Sequence, residues 1–295
     1  LVAFENKIVA RVGSSVLSSY ELKNKIKTIL FLSNQSLSQE NINITKSQAI
    51  RLLINQKIKK EELKKFEIDI EDNLNVVRYI ENISSKYNTN LQGFKKLFNE
   101  NDLNYEAYNE EIKVELAWQK LIFNLFNDRV NFDEGEIDEE IKKIIEKKES
   151  IEEYKLAEIE VEILIGNNLE TQKKIKEIEN QINKIGFENT AIKFSTSSSA
   201  FEGGDLGWIR SNAMSGKILK IVKDMNAGDV SSPISTSNSI LFLKLVDKKV
   251  LDLQTIDIED MKNKVLIAKK NELLNIYSNN YLSQIKNNAF IEFNE

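Results

Sequence analysis

Apolar and polar positions alternate over residues 8–12, pause at Gly13-Ser14-Ser15 and resume at Val16-Leu17, which predicts a short β-hairpin. Ser18 and Glu21 then form a Ser-x-x-Glu capping box, so a helix is expected to open there. From that point to about residue 148 the period is helical. Thr45 and Gln48 read as a second capping box ahead of Ile50, Leu53, Ile54 and Ile58, which share one helix face. Leu74, Val77, Ile80 and Ile83 mark another helix, and Leu91, Phe94, Leu97 and Phe98 a short one behind Asn90, a fitting N-cap. Tyr105, Tyr108, Ile112 and Leu116 stripe a longer helix that continues through Leu121, Ile122, Leu125 and Phe126. Residues 133–148 are charged with few apolar positions, as in a connecting helix.

The texture changes near Ser150. Residues 154–165 read as a strand, with Leu156, Ile159, Val161 and Ile163 apolar, and 171–185 as an amphipathic helix. The Ser- and Gly-rich stretch 195–208 reads as a loop, 218–222 as a short helix, 228–233 as a turn and 240–246 as a closing strand. Residues 257–287 form a long helix of about 45 Å at 1.5 Å per residue. That exceeds what one small domain covers, so the helix is expected to pack back on the N-terminal helices, with 289–293 adding an edge strand to the first hairpin. The pattern divides the chain at 1–149, 150–250 and 251–295.

Composition narrows the function classes. Of 295 residues, 41% are apolar, enough for a core, and charges nearly balance at −5, so no basic excess marks nucleic acid as the main partner. No run of 18 apolar residues exists to span a membrane, and residues 1–4 are too short for a signal-peptide core, as in a chain that begins near a processing site. Cysteine is absent, which excludes disulfides and a thiol nucleophile. Histidine is absent too, which removes the commonest metal ligand, the commonest general base and any Ser-His-Asp triad. No P-loop, zinc spacing, EF-hand or nucleophile elbow is present, so no metal and no cofactor is expected.

Gly203-Gly204-Asp205-Leu206-Gly207-Trp208, then Ala227-Gly228-Asp229-Val230-Ser231-Ser232-Pro233-Ile234, then the strand 240–244 follow one another in order. Together they resemble the parvulin family of prolyl isomerases, whose GGDLG-aromatic loop, GE(I/V)S-x-P(V/I) turn and closing strand they match. The flanks resemble SurA-type chaperones: the hairpin and capping box of 8–21, the helix of 49–58, and the segment from Leu103 through Tyr105 and Tyr108 to Glu115. SurA itself usually has two parvulin domains, and this chain has room for one. The resemblance implies an α+β architecture. A mostly helical, SurA-like N-terminal domain would be completed by the long C-terminal helix, beside one parvulin-like domain of FKBP-like α+β fold.

Turning an X–Pro bond means crossing a barrier of about 18–20 kcal/mol set by amide resonance. In active parvulins two histidines and a Cys or Asp form a hydrogen-bond network beside an apolar proline pocket lined by Met and Phe. By resemblance, the first histidine position falls on Glu158 or its neighbour, the second on Leu241, and the Cys/Asp position on Ser197 or Thr196. Met214 keeps the family Met, Ile218 stands at the Phe position, and Trp208 follows the loop; with Leu241 these are the substrate-binding candidates. A leucine neither donates nor accepts a hydrogen bond, so the network is broken there, and Met214, Ile218 and Leu241 serve either as core or as a peptide groove. On the N-terminal helices, Tyr79, Tyr87, Phe94, Phe98 and Trp118 are either core or the lining of a groove for aromatic-rich clients.

The resemblance thus implies a periplasmic, ATP-independent chaperone for unfolded outer-membrane β-barrel proteins, with a catalytically degenerate parvulin domain. The alternatives it leaves open are an active prolyl isomerase and a partner-specific interaction module.

Overall fold

The computed structural model describes residues 7–71, 74–130, 132, 135, 137–139, 142, 151–163, 168–236, 239–251 and 258–294. The charged segment 133–148 lies almost wholly outside the described residues. The chain divides into two compact units, Leu1–Asn124 with Ile192–Phe194 and Asn280–Glu295, and Leu125–Ala191 with Ser195–Asn279.

In the first unit, β1 (Ile8–Val12) and β2 (Ser15–Ser18) form the hairpin, with Val12 opposite Ser15. The tail strand β7 (Ile291–Phe293) adds to the free side of β1, giving the order β2-β1-β7. Ser18 caps α1 (Ser19–Leu32): its hydroxyl accepts from the Glu21 N–H, and the Glu21 carboxylate accepts from the Ser18 N–H. Each bond satisfies one of the donors a helix start leaves orphaned.

The next helix, α2 (Gln39–Lys65), starts earlier than its sequence suggests. Ser38 is its N-cap, accepting from the Asn41 N–H, so Thr45 and Gln48 lie buried inside a helix already under way. They form no capping box, because the amides around them are already held by the helical ladder. Asn90, by contrast, caps α4 (Leu91–Glu100) as expected, accepting from the Gly93 N–H, between α3 (Leu74–Lys86) and α5 (Tyr105–Phe126).

Aromatic rings fill the centre of this unit. Phe94 and Phe98 lie 5.0 Å apart, and both contact Tyr108, at 5.9 and 5.1 Å; Phe98 also meets Phe31 and Tyr105 edge-on. Such tilted and edge-to-face pairs match the ring quadrupoles. Lysines on α1 and α2 pair with carboxylates of α5, Lys25 with Glu111 and Lys59 with Glu115. The end of the long C-terminal helix α9 (Ile258–Asn288) belongs to this unit. There the Tyr281 ring stacks on Trp118 at 5.8 Å, and its hydroxyl donates to Glu62 at 2.6 Å.

The second unit is built on an antiparallel sheet of order β4-β3-β6-β5, from β3 (Ile151–Glu162), β4 (Asp205–Arg210), β5 (Ile234–Ser235) and β6 (Ser239–Leu251). Its helices include α6 (Asn168–Ile185) and α8 (Gly216–Lys223). Residues 205–208, expected in a loop, belong to β4, because Gly207 and Trp208 pair with Leu156 and Lys155 of the central strand. A helix that the pattern did not announce, α7 (Phe187–Phe194), follows Gly186 and buries Phe187, Ala191 and Phe194.

Strand β3 is buried on both faces: Tyr154 and Leu156 on one, Ala157, Ile159 and Val161 on the other. That explains why its apolar positions do not keep a strict period of two. Register shifts leave one extra residue on each partner, Leu206 on β4 and Val246 on β6, and both are exposed. These are β-bulges.

Candidate functional site

The site is assembled on the face of β3 that carries Tyr154, Leu156, Glu158 and Glu160, since alternate residues of a strand share a face. Across the β3–β6 ladder Leu245, Leu243 and Leu241 stand opposite Leu156, Glu158 and Glu160. Tyr154, Leu156, Leu243, Leu245, Ile234, Val222 and Met225 form a buried apolar cluster. Met214, Ile218 and Leu241 pack against it, each half-buried.

Two loops are stitched to this face. In the first, Thr196 donates its N–H to the Glu160 carbonyl at 2.8 Å, and Ser195 Oγ accepts from the Glu160 N–H at 3.0 Å. This places Ser197 and Ser199 so that both hydroxyls donate to Glu158 Oε1, the Ser199 bond at 3.0 Å. In the second, the glycine loop comes down on the backbone of Glu158, whose N–H donates to the Gly204 carbonyl at 2.8 Å. Gly203 and Gly204 both have positive φ, +72° and +82°, a region costly for residues with a Cβ.

The turn before β5 is fixed along β6 by Gly228 N–H donating to the Leu245 carbonyl, Leu245 N–H to the Asp229 carbonyl and Ser231 N–H to the Leu243 carbonyl. Ser231 Oγ also accepts from the Leu243 N–H at 3.0 Å. The motif residues of both loops are therefore fold determinants that bring the site together.

Burial pushes the Glu158 carboxyl above the ordinary carboxylate range; the Ser197 hydrogen bond opposes this, the charge of Glu160 adds to it and the Ser199 bond opposes it. Glu160 Oε1 accepts from Ser239 Oγ at 2.7 Å and from Asn279 Nδ2 at 3.0 Å. Glu160, Ser239, Asn279 and Ser199 escaped the sequence reading. Strand alternation alone would have put Glu160 beside Glu158. The other three arrive through the tertiary fold and leave no local signal.

The structure thus gathers Glu158, Ser197, Met214, Ile218 and Leu241 on one side of the sheet. Trp208 does not join them. It alternates with Ile209, which packs on the cluster, so its own ring turns to the opposite face, where it is 40% exposed beneath Lys249 Nζ at 4.2 Å. Among the proposed groove residues of the first unit, Phe94, Phe98 and Trp118 are fully buried and cannot line an open surface; Tyr79 and Tyr87 are half-buried. The reason is that Phe94 and Phe98 point into the aromatic core described above, while Trp118 lies against the Tyr281 ring. Among the described residues no cluster of His, Cys, Asp and Glu could hold a metal ion, and no helix is long and apolar enough to cross a membrane.

Residues 166–247 match the family described as "Rotamase: PPIC-type PPIASE domain". The chain is 26% identical over 278 residues to the Chaperone SurA of Idiomarina loihiensis, covering 91% of this chain and 63% of that one. It is 25% identical to the Chaperone SurA of Hahella chejuensis, covering 66% of this chain and 45% of that one. The chain therefore spans less than two thirds of the length of these curated relatives. Among solved structures it is similar to a SurA-like chaperone of Campylobacter jejuni, with 18% identity, coverage of 98% and 100%, and a TM-score of 0.39. Residues 166–247 are thus similar to PPIC-type, parvulin-like domains, and over nearly all its length the chain is similar to SurA chaperones.

Proposed function

We propose that this chain holds unfolded polypeptides without ATP, and that its parvulin-like domain, spanning about 150–250, no longer catalyses prolyl isomerisation. The observation that carries the second half is Leu241. Its aliphatic side chain packs on the apolar cluster at the position of a family histidine, opposite Glu160 in the ladder. No polar atom there can continue the hydrogen bonds from Glu158 and Ser197. What the site retains is an aliphatic floor of Met214, Ile218 and Leu241, suited to holding an apolar segment by contact.

The similarity to SurA chaperones supports the first half. By the same similarity the clients are unfolded outer-membrane β-barrel proteins and the compartment is the periplasm. The test has two arms. A protease-coupled assay on a proline tetrapeptide is expected to show no rate above the uncatalysed one, and light scattering is expected to show delayed aggregation of a denatured β-barrel client. Turnover in the first arm would overturn the degenerate reading, and undelayed aggregation in the second would overturn the chaperone reading. A second reading, an active isomerase, is favoured by one observation only: Ser197 still donates to Glu158 where the family network lies.

A further inference from the structure

Resting on the reading that this face holds client segments, we infer that Glu158 makes client binding proton-gated. With a proton on Oε2 the carboxyl donates to a client backbone carbonyl beside the aliphatic floor, and without it the bare charge turns apolar segments away.

The geometry assigns the two oxygens different work. Oε1 is saturated by the hydroxyls of Ser197 and Ser199, whereas Oε2 has no partner among the described residues. A half-buried carboxyl with one oxygen tied and one free takes its proton on the free oxygen. That oxygen belongs to a side chain flanked along β3 by Leu156 and faced across the ladder by Leu243, both buried in the apolar cluster against which Met214, Ile218 and Leu241 pack. The ligand class is therefore an extended segment with an apolar side chain, a free backbone carbonyl and no acidic residue nearby.

Among the described residues no cation is seen to offset the charge when the proton leaves. From β3 itself the facing group is Glu160, a second carboxylate, which is held by Ser239 of β6 and Asn279 of α9. From β6 the facing residues are Leu241 and Leu243. Lys244 alternates to the other face, where it pairs with Glu188 of α7 at 2.6 Å. Asp205 of β4 stands opposite Ala157, on that other face, and accepts from the Gly207 N–H. From the 195–199 loop come Ser197 and Ser199, both neutral. From α8 the contacts to the cluster are Ile218, Leu219 and Ile221, while Lys217 donates to the Ser235 carbonyl. Burial and Glu160 both favour the neutral carboxyl, and only the two serine bonds oppose.

The experiment uses the full chain and a rhodamine-labelled apolar, proline-containing peptide lacking Asp, Glu and His, so that the probe does not titrate. Fluorescence anisotropy is read from about pH 5 to pH 8. Wild type is expected to bind more tightly as pH falls, with a limit of about tenfold per pH unit for one linked proton. Glu158→Gln keeps an acceptor for the serines and a neutral donor at the second position, and is expected to bind at the tight level with a flat profile. Glu160→Gln is expected to move the wild-type midpoint to lower pH, and near-UV circular dichroism reports that both variants are folded. Binding by wild type with no pH dependence, or the same slope in Glu158→Gln, overturns the gating while leaving the client reading intact. No binding by either protein at any pH overturns the client reading and the gating with it.

Discussion

A β-carbon placed on Gly204 would lie 2.1 Å from the carbonyl oxygen of Glu158. The glycine loop and the central strand touch backbone to backbone, at the residue that carries the site's carboxyl. The second glycine of the motif is thus required twice, by its φ of +82° and by this contact.

Gly204→Ala is therefore expected to destabilise the chain by about 2 kcal/mol or more, from left-handed strain plus displaced backbone. Gly207 has a φ of +68° but nothing within 4 Å of its added carbon. Gly207→Ala should cost only the conformational part, about 1 kcal/mol. Urea unfolding of the two variants checks the difference; equal losses would mean that the approach to Glu158 carries no weight.

Two signals of the same type, Ser18-x-x-Glu21 and Thr45-x-x-Gln48, separate in the same way. Ser18→Ala removes a reciprocal capping box and is expected to cost about 1 kcal/mol. Thr45 caps nothing: it is buried inside α2, and its hydroxyl has no partner among the described residues. Thr45→Val is expected to be neutral or stabilising by up to about 1 kcal/mol, because it removes an unmet polar group while keeping the shape. Thermal melts of the two single variants decide the contrast.

These pairs show what the amino-acid pattern can and cannot carry. The hairpin at Gly13, the cap at Ser18, the cap at Asn90 and the glycine loop are legible because each meets a local backbone demand with a residue type few others replace. Thr45 misleads because a helix begun one turn or more upstream gives its capping chemistry nothing to do. β4 is hidden because glycines and a bulge at Leu206 look like a loop until the central strand pairs with them. Within the site, Glu158, Ser197, Met214, Ile218 and Leu241 could be named from the motif frame. The Ser239 and Asn279 bonds to Glu160, spanning 79 and 119 residues, depend on tertiary closure and have no local trace. Trp208 follows its motif in sequence yet faces away, since one step along a strand changes sides.

Tyr281 donates to Glu62, a carboxylate on α2 that is buried and also paired with Lys65. Tyr281→Phe keeps the stack on Trp118 and removes only the hydroxyl, leaving part of a buried charge unmatched, so a loss of about 1–3 kcal/mol is expected. Tyr281→Leu loses the ring contact as well and should cost more. Urea midpoints followed by tryptophan fluorescence rank the three proteins, and a Phe variant as stable as wild type would show that Lys65 alone satisfies Glu62.

The last expectation concerns pH and stability, independent of any client. Burial raises the Glu158 carboxyl above its ordinary value of 4.5, against the pull of the Ser197 and Ser199 bonds and with the help of Glu160. A folded-state pKa above the unfolded one means that, between the two, the folded chain binds more protons than the unfolded chain. Stability from this group is then fully present below the unfolded value and falls as pH rises through the folded one. Glu158→Gln cannot titrate, so its stability should match wild type near pH 4 and exceed it increasingly toward pH 8, levelling off once wild-type Glu158 is ionised. Glu160→Gln removes the neighbouring like charge and should shrink that gap. Urea midpoints of the three proteins across this range check the sign, and a wild-type curve parallel to that of Glu158→Gln would place the Glu158 carboxyl in an environment no different from water.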